Sequence, residues 1–463
     1  MDAMSVAAAL VFLFLLMLFC QLIRARMPVF DRLFIPTSII AGTIGLLLGP
    51  QVLGAITSEQ GLLANGVFPE STTAVWRGLP GLLISVVFAC LFLGKRLPAV
   101  GEVWQVSGPQ IMLGYTLSFG QYAVGLAAVV LVLTPFFGVD PIAGILIEVA
   151  LTGGHGTAAG LAPTFEELGF PEATDMALGM ATLGLVAGVV LGTLFINIAV
   201  RSPRFNAARN LKPSVDDIEP EPPENNLPVR SNRSIAMDSL TLHLGIVGLA
   251  VFIGWLMREA LILLETISWG HVTGPLMVYV PLFPLAMIGG AIVQGIAQRS
   301  GLGAHIERPQ IAHIGGLALD IIIVAALATL SLSAIGEYLL PFTVLAILGI
   351  GWTSLAFWWL APKIIAEDWF EKALGDYGQA SGMAVTGLLL MGVADPQQRT
   401  RALEGFGYKQ LLFEPMVGGG LVTALSPVLV MQLGAPALLV VFTAATAIAA
   451  LVGMGLRRAA LRQ

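Results

Sequence analysis

Uninterrupted apolar windows at residues 3–23, 39–56, 111–133 and 339–360 constrain this chain more than any other feature it has. Each approaches the ~20 residues that cross ~30 Å of hydrocarbon as a helix. A helix also satisfies its own backbone groups where no water can reach them. Composition agrees: 56% of residues are hydrophobic and 11% charged, mean hydropathy is +0.86, and a soluble domain carries roughly 25% charged residues. The chain reads as an all-α membrane protein. The first apolar run follows Asp2 without a basic residue, whereas a cleaved signal opens with positive charge, so 3–23 is expected to stay as the first span. Cys20 and Cys90 both lie in apolar segments, too few to build a disulfide framework or a metal cluster.

Lysine and arginine placement sets orientation. Arg24, Arg26 and Arg32 follow the first span. The second (34–56) leads to Glu59, Glu70 and Arg77, the third (79–93) to Lys95 and Arg96, and the fourth (110–133) to Asp140. The amino terminus is therefore expected outside and the carboxyl terminus, ending at Arg457 and Arg458, inside. After the segment 141–161 comes a loop with Glu166, Glu167, Glu172 and Asp175 and no basic residue, then a span (176–200) leaving through Arg201, Arg204, Arg209 and Lys212. These charges fit a segment that dips into the membrane and returns better than one that crosses. Residues 201–239, rich in proline and acid, read as a cytoplasmic linker.

A second set of spans follows at 240–256, 276–297, 311–332 and 339–361, now starting from the inside, with Arg299, Arg308 and Lys363 on the cytoplasmic side. The pattern of Gly153, Gly156, Ala158 and Gly160 in LTGGHGTAAG recurs at Gly375, Gly378, Ala380 and Gly382 in GDYGQASG. The loop behind this second segment (372–394) carries Arg399, Arg401 and Lys409, so it is expected to enter from the inside. A span at 411–431 follows, and one at 435–454 has no partner in the first half. The expected architecture is an inverted-topology repeat of two five-span halves, 1–200 and 240–434, each with a glycine-rich interrupted or re-entrant segment, plus an extra C-terminal span within 435–463. Inverted repeats with interrupted segments at corresponding places characterise secondary transporters, which bind substrate near mid-membrane at broken helices.

Glycine permits backbone conformations closed to other residues and lets a ligand approach the chain itself. Half-helix ends at such breaks offer amides to a carboxylate and carbonyls to sodium. The candidate substrate-binding residues are therefore Thr152, Gly153, Gly154, His155, Gly156 and Thr157 at the first segment, and Gly375, Asp376, Tyr377, Gly378, Gln379 and Ser381 at the second. The same glycines also fit close helix packing, and His155 reads equally as a substrate contact or a hydrogen-bonded spacer. Asp320 and Glu148 stand in apolar sequence, where a lipid-facing carboxylate costs at least ~2.5 kcal/mol. They are the candidate cation ligands, with a protonated structural role as the alternative. Glu414 reads as an interfacial residue. No GxxxxGK[ST] phosphate loop, HExxH or nucleophile–base pairing occurs, so the chain is read as neither an ATP-driven pump nor an enzyme, and no cofactor is expected.

TLGLVAGVVLG at 182–192, LTGGHGTAAG at 151–160, FIPTSIIAG at 34–42, VDPIAG at 139–144 and EPMVGG at 414–419 together resemble the bacterial sodium/glutamate symporters. The resemblance implies sodium-coupled uptake of glutamate or a related small carboxylate across the cytoplasmic (inner) membrane, elevator-type movement and a homodimer. The chain departs from the family's pattern in GDYGQASG, in Glu148 and Asp320, and in its added last span. A proton- or sodium-coupled carrier of another small solute, or a sodium/proton antiporter, is the alternative reading.

Overall fold

The computed structural model describes residues 3–27, 36–56, 66–96, 100–201, 239–268, 277–395 and 400–462. The linker expected at 201–239 falls, apart from its two end residues, outside them. The regular elements are all helical, and nine helices among the described residues are long and apolar enough to cross a membrane.

The first half contributes α1 (Ala3–Arg26), α2 (Thr37–Leu48), α3 (Glu70–Ala89) and α4 (Val100–Ala128), which runs on through a π turn to Phe137. Three short helices follow, α5 (Leu146–Leu151), α6 (Gly154–Gly160) and α7 (Ala162–Glu167), and then the long α8 (Glu172–Arg201). The second half contributes α9 (Ser239–Ile267), α10 (Leu282–Ser300), α11 (Arg308–Ala328), the short α12 (Leu332–Glu337), α13 (Leu339–Trp359) and α14 (Ala361–Ile364). It closes with α15 (Trp369–Ala394), α16 (Ala402–Phe413), α17 (Leu421–Leu433) and α18 (Ala435–Ala460).

Two groups of helices result. In the first, α1, α2, α3, α9, α10 and α11 pack chiefly on one another. Small residues bring them close: a Cβ on Gly42 of α2 would lie 2.6 Å from Leu327 Cβ of α11, and one on Gly254 of α9 would lie 2.5 Å from the Ala286 nitrogen of α10. Helices α4 to α8, α13 and α15 to α18 form the second group. Here α8 turns Gly184, Gly188 and Gly192, four residues apart and so on one face, toward α15, where they meet Ser381 and Leu390. The groups meet where α6 lies against α3 and α11. A Cβ on Gly160 would lie 2.7 Å from Ile84 of α3, and one on Gly156 3.2 Å from Leu319 of α11.

Three segments of the second group depart from straight helix. Between α5 and α6 the chain turns at Thr152–Gly154, with Gly154 at φ +74. Asp140, before this segment, and Glu172, after it, both lie beside Tyr338. α15 consists of two arms joined at Gly382 and Met383, the latter at φ +76 and ψ 167. The arms lie against each other: a Cβ on Gly378 would sit 2.6 Å from Gly387 Cα and one on Gly375 2.6 Å from Met391 Sδ. A straight helix would hold residues nine apart about 13 Å from each other. The third departure is Glu414–Gly420, between α16 and α17, where Gly418 and Gly419 have φ +71 and +104 and Pro415 removes a backbone donor.

Two sequence expectations are corrected here. The second break falls at Gly382 and Met383, at the end of GDYGQASG; Gly375, Asp376, Tyr377 and Gly378 are helical, and the two glycines serve the packing of arm on arm. The span expected at 411–431 is two helices, α16 and α17, because Pro415 and three successive glycines interrupt it. The first of them, α16, runs beside α4: Ser107 Oγ donates to the Gly405 carbonyl at 2.8 Å and the Tyr115 hydroxyl to the Leu412 carbonyl at 2.7 Å.

The two ends of the molecule differ in charge. Asp140, Glu166, Glu172, Asp175 and Glu337 gather at one, around Tyr338 and a cavity of about 350 Å³ that Arg77 also lines. At the other, Arg308 Nη1 donates to the carbonyls of Cys90 and Leu93 at 2.7 and 3.0 Å, next to Lys95.

Candidate functional site

The three breaks converge. A Cβ on Gly154 would run into Met383 Cγ, one on Gly418 would lie 3.4 Å from Thr152 Cγ2, and one on Gly419 2.7 Å from Thr157 Oγ1. Of the residues singled out in the sequence, Thr152, Gly153, Gly154 and Thr157 thus stand at the junction, and Ser381 flanks it. Leu319 of α11, Ile39 of α2, Leu185 of α8 and Met383 close one side with apolar surface. The motifs FIPTSIIAG, LTGGHGTAAG, TLGLVAGVVLG and EPMVGG, scattered through the chain, all reach this one place.

Two hubs of buried polar groups hold the junction. Glu148 of α5 accepts from the Tyr122 hydroxyl at 2.5 Å through Oε2, and from the Gly418 amide at 2.8 Å and Thr423 Oγ1 at 3.1 Å through Oε1. Its side chain is fully buried. The carboxylate therefore fastens the first break to the third and to α4, and both of its oxygens are engaged. Gln121 of α4 is the second hub. It accepts from Thr152 Oγ1 at 2.7 Å and donates to the Ala380 carbonyl at 2.6 Å and to Thr353 Oγ1 at 3.1 Å, joining the first break to the second and to α13. At this depth an unpaired polar group costs several kcal/mol, which is the physical reason for such complete pairing.

His155 Nε2 lies 2.9 Å from Thr182 Oγ1 of α8, while its Nδ1 has no hydrogen-bond partner within the described protein. Thr157 Oγ1 donates to the Gly153 carbonyl at 2.9 Å. Tyr377 packs its ring on Phe195 and Phe357, with centroids 5.0 and 5.5 Å away. Its hydroxyl faces Ser354 and Ser381, yet the polar atoms of all three side chains lack a well-directed hydrogen bond.

The remaining candidates stand apart from the junction. Asp320 is half-buried and faces Ser38 of α2, one residue from Leu319. Asp376 and Gln379 point at Lys409 of α16, whose ammonium lies 2.5 Å from Asp376 Oδ1 and 2.7 Å from Gln379 Oε1. Lys409 is 1% exposed, which corrects its reading as part of a cytoplasmic basic loop. Glu414, read as interfacial, belongs to the third break, faces Lys95, Lys409 and Arg308, and leaves Oε2 without a partner.

Gln121, Tyr122, Lys409 and Thr423 escaped the sequence reading. A glutamine, a tyrosine and a threonine in apolar helix draw no attention singly, and Lys409 lies among Arg401, Glu404 and Gln410 in a stretch that looks solvated.

The family model described as sodium/glutamate symporter matches residues 3–361, ending before the second break. The chain is similar to the sodium/glutamate symporter of Escherichia coli (strain K12), with 28% identity over 173 residues, 34% of this chain and 42% of the relative. The sodium/glutamate symporter of Shigella flexneri matches with the same figures. That of Haemophilus influenzae (strain ATCC 51907 / DSM 11121 / KW20 / Rd) is 26% identical over 242 residues, 50% of this chain and 57% of the relative. The chain thus spans about half the length of the relatives it matches.

Proposed function

The chain belongs to the sodium/glutamate symporter family, and from that premise we propose that it carries glutamate or a related small carboxylate across the cytoplasmic membrane, driven by sodium. The observation that carries the reading is the meeting of Gly154 with Met383. Two chain breaks from opposite halves of the sequence share one buried place, as a carrier with a central binding site requires.

The substrate is held at the first break by Thr152, Gly153, Gly154, His155, Gly156 and Thr157, and at the second by Ser381, with Tyr377 supporting it. Gly375 and Gly378 set the hairpin's shape. Support comes from the unpartnered His155 Nδ1 and Ser381 Oγ, polar atoms that a bound amino acid would satisfy. The coupling cation sits beside Asp320 and Ser38, on the α2–α11 side of the same junction. Glu148 acts as the fastening between breaks and contributes to ion binding through the geometry it maintains.

In the membrane, 141–161 and 372–394 are re-entrant hairpins of the two inverted halves, 1–200 and 240–434. The acidic end around Tyr338 is external and the end of Lys95 and Arg308 cytoplasmic, in keeping with the bias of basic residues. The first three long helices of each half form a fixed frame. The remaining helices, with both hairpins and the added α18, form the part that travels, in the elevator manner. The two-group packing supports this division, and the largely exposed apolar faces of α1 and α9 suit contact with lipid or with a second copy in a homodimer.

Reconstituted protein under an inward sodium gradient is expected to accumulate labelled glutamate, and to stop when the gradient is collapsed at constant ionic strength. Accumulation unchanged by sodium, or proton movement that needs no added solute, would replace this reading with a carrier of different coupling or an antiporter.

A further inference from the structure

Lys409 is a cation in a place built for one. Its ammonium has Asp376 Oδ1 at 2.5 Å and Gln379 Oε1 at 2.7 Å. The face of Phe413 lies 4.1 Å away and that of Phe406 5.3 Å. A carboxylate oxygen, an amide oxygen and aromatic faces are the groups that hold a dehydrated monovalent cation. The surroundings are shaped to the side chain. Gly114 of α4 leaves the stem its room, since a Cβ there would lie 2.7 Å from Lys409 Cε. Gln410 Oε1 takes a hydrogen bond from Gln379 Nε2 at 2.9 Å, which turns the Gln379 carbonyl oxygen toward the ammonium. Asp376 Oδ2 finds no partner in the described protein, so Lys409 is the neutralising charge that this carboxylate touches.

The position is as telling as the chemistry. Asp376 and Gln379 lie on the first arm of α15, on the way to the break at Gly382, and Lys409 lies on α16, on the way to the break at Glu414–Gly420. A mobile ion here would bind and leave with each cycle; an ammonium on a side chain stays.

We propose that the Lys409 ammonium is a built-in cation, occupying at Asp376, Gln379 and Phe413 a site that would otherwise take a coupling ion, so that this chain carries one fewer ion per cycle. The stoichiometric part rests on the reading of the protein as an ion-coupled carrier. The site itself does not.

Removing the side chain beyond Cβ exposes the site to a small cation. Purified Lys409→Ala is expected to gain a rise of about 5 °C in thermal midpoint when choline is replaced by saturating methylammonium, the size of shift that one well-occupied ligand site gives. Sodium should give a rise above that of the parent. The parent should ignore methylammonium, and the double variant Asp376→Asn with Lys409→Ala should lose the response. If Lys409→Ala does not stay folded without a cation, its folded yield in extracts prepared with methylammonium or with choline reads the same contrast. A single variant that responds no more than the parent, a double variant that responds as strongly, or equal yields in the two salts would overturn the proposal. In proteoliposomes, the Hill coefficient for sodium in Lys409→Ala should rise by about one. Failure of the parent to transport glutamate would sink the transport reading and leave the thermal result standing.

Discussion

Gly154→Ala is expected to leave the protein in the membrane and to lower glutamate uptake at least ~100-fold, the equivalent of ~2.7 kcal/mol. Two effects combine. Gly154 has φ +74, where a non-glycine residue costs of order 1–3 kcal/mol, and its new methyl group would enter Met383 Cγ. The effects separate by comparison with Gly138, which has φ +65 and open space where a Cβ would stand. Gly138→Ala carries similar backbone strain without a neighbour and should keep uptake within about threefold of the parent, since strain in a surface turn has no route to the junction. Met383 itself holds a left-handed backbone at φ +76. Adding Met383→Gly to Gly154→Ala should therefore restore part of the uptake, by clearing the methyl's path and relieving the second break. Equal losses in Gly154→Ala and Gly138→Ala would show that the meeting of the two breaks carries no function.

The second large effect is expected at Glu148. Glu148→Ala leaves the Tyr122 hydroxyl, the Gly418 amide and Thr423 Oγ1 without their shared acceptor. Each unsatisfied buried donor costs ~1–3 kcal/mol, so a destabilisation of roughly 3 kcal/mol or more is expected, with uptake falling in step. Glu148→Gln keeps one carbonyl for Gly418 and Thr423 and presents an amide that the Tyr122 hydroxyl can accept from. It should recover most of the stability. Thermal unfolding in detergent distinguishes the two variants; identical melting of Glu148→Ala and parent would remove Glu148 as a fastening.

The first break was legible in the sequence for a simple reason. GGHG stands in apolar sequence with no lysine or arginine near it, and Gly153 and Gly154 are where the chain turns. Glu148 was likewise visible as an acid that hydrocarbon would not tolerate unpaired, though nothing nearby told that its acceptors' partners were Gly418 and Thr423, some 270 residues on. The second break was placed too early because glycines that let two arms touch look the same, in sequence, as glycines that let a chain turn. Gly375 and Gly378 do the former, and the turn employs Met383, a residue that gives no such signal. Lys409 was hidden by its neighbours: a lysine near arginines and glutamate reads as solvated, and only the fold brings Asp376 to it. The interruption at 414–420 was in plain view as a proline followed by three glycines, and was outweighed by the apolar residues on either side.

The fastening at Glu148 also bears on biogenesis. Tyr122 precedes the glutamate in the chain, whereas Gly418 and Thr423 follow it by 270 and 275 residues. Chains are made from the amino end at ~5–20 residues per second, so for roughly 14–54 s the nascent segment holds an acid with one of its three mates. A polypeptide ended after Phe413 should be cleared in pulse-chase much faster than one ended after Leu433, and comparable lifetimes would mean that the waiting carboxylate finds shelter elsewhere.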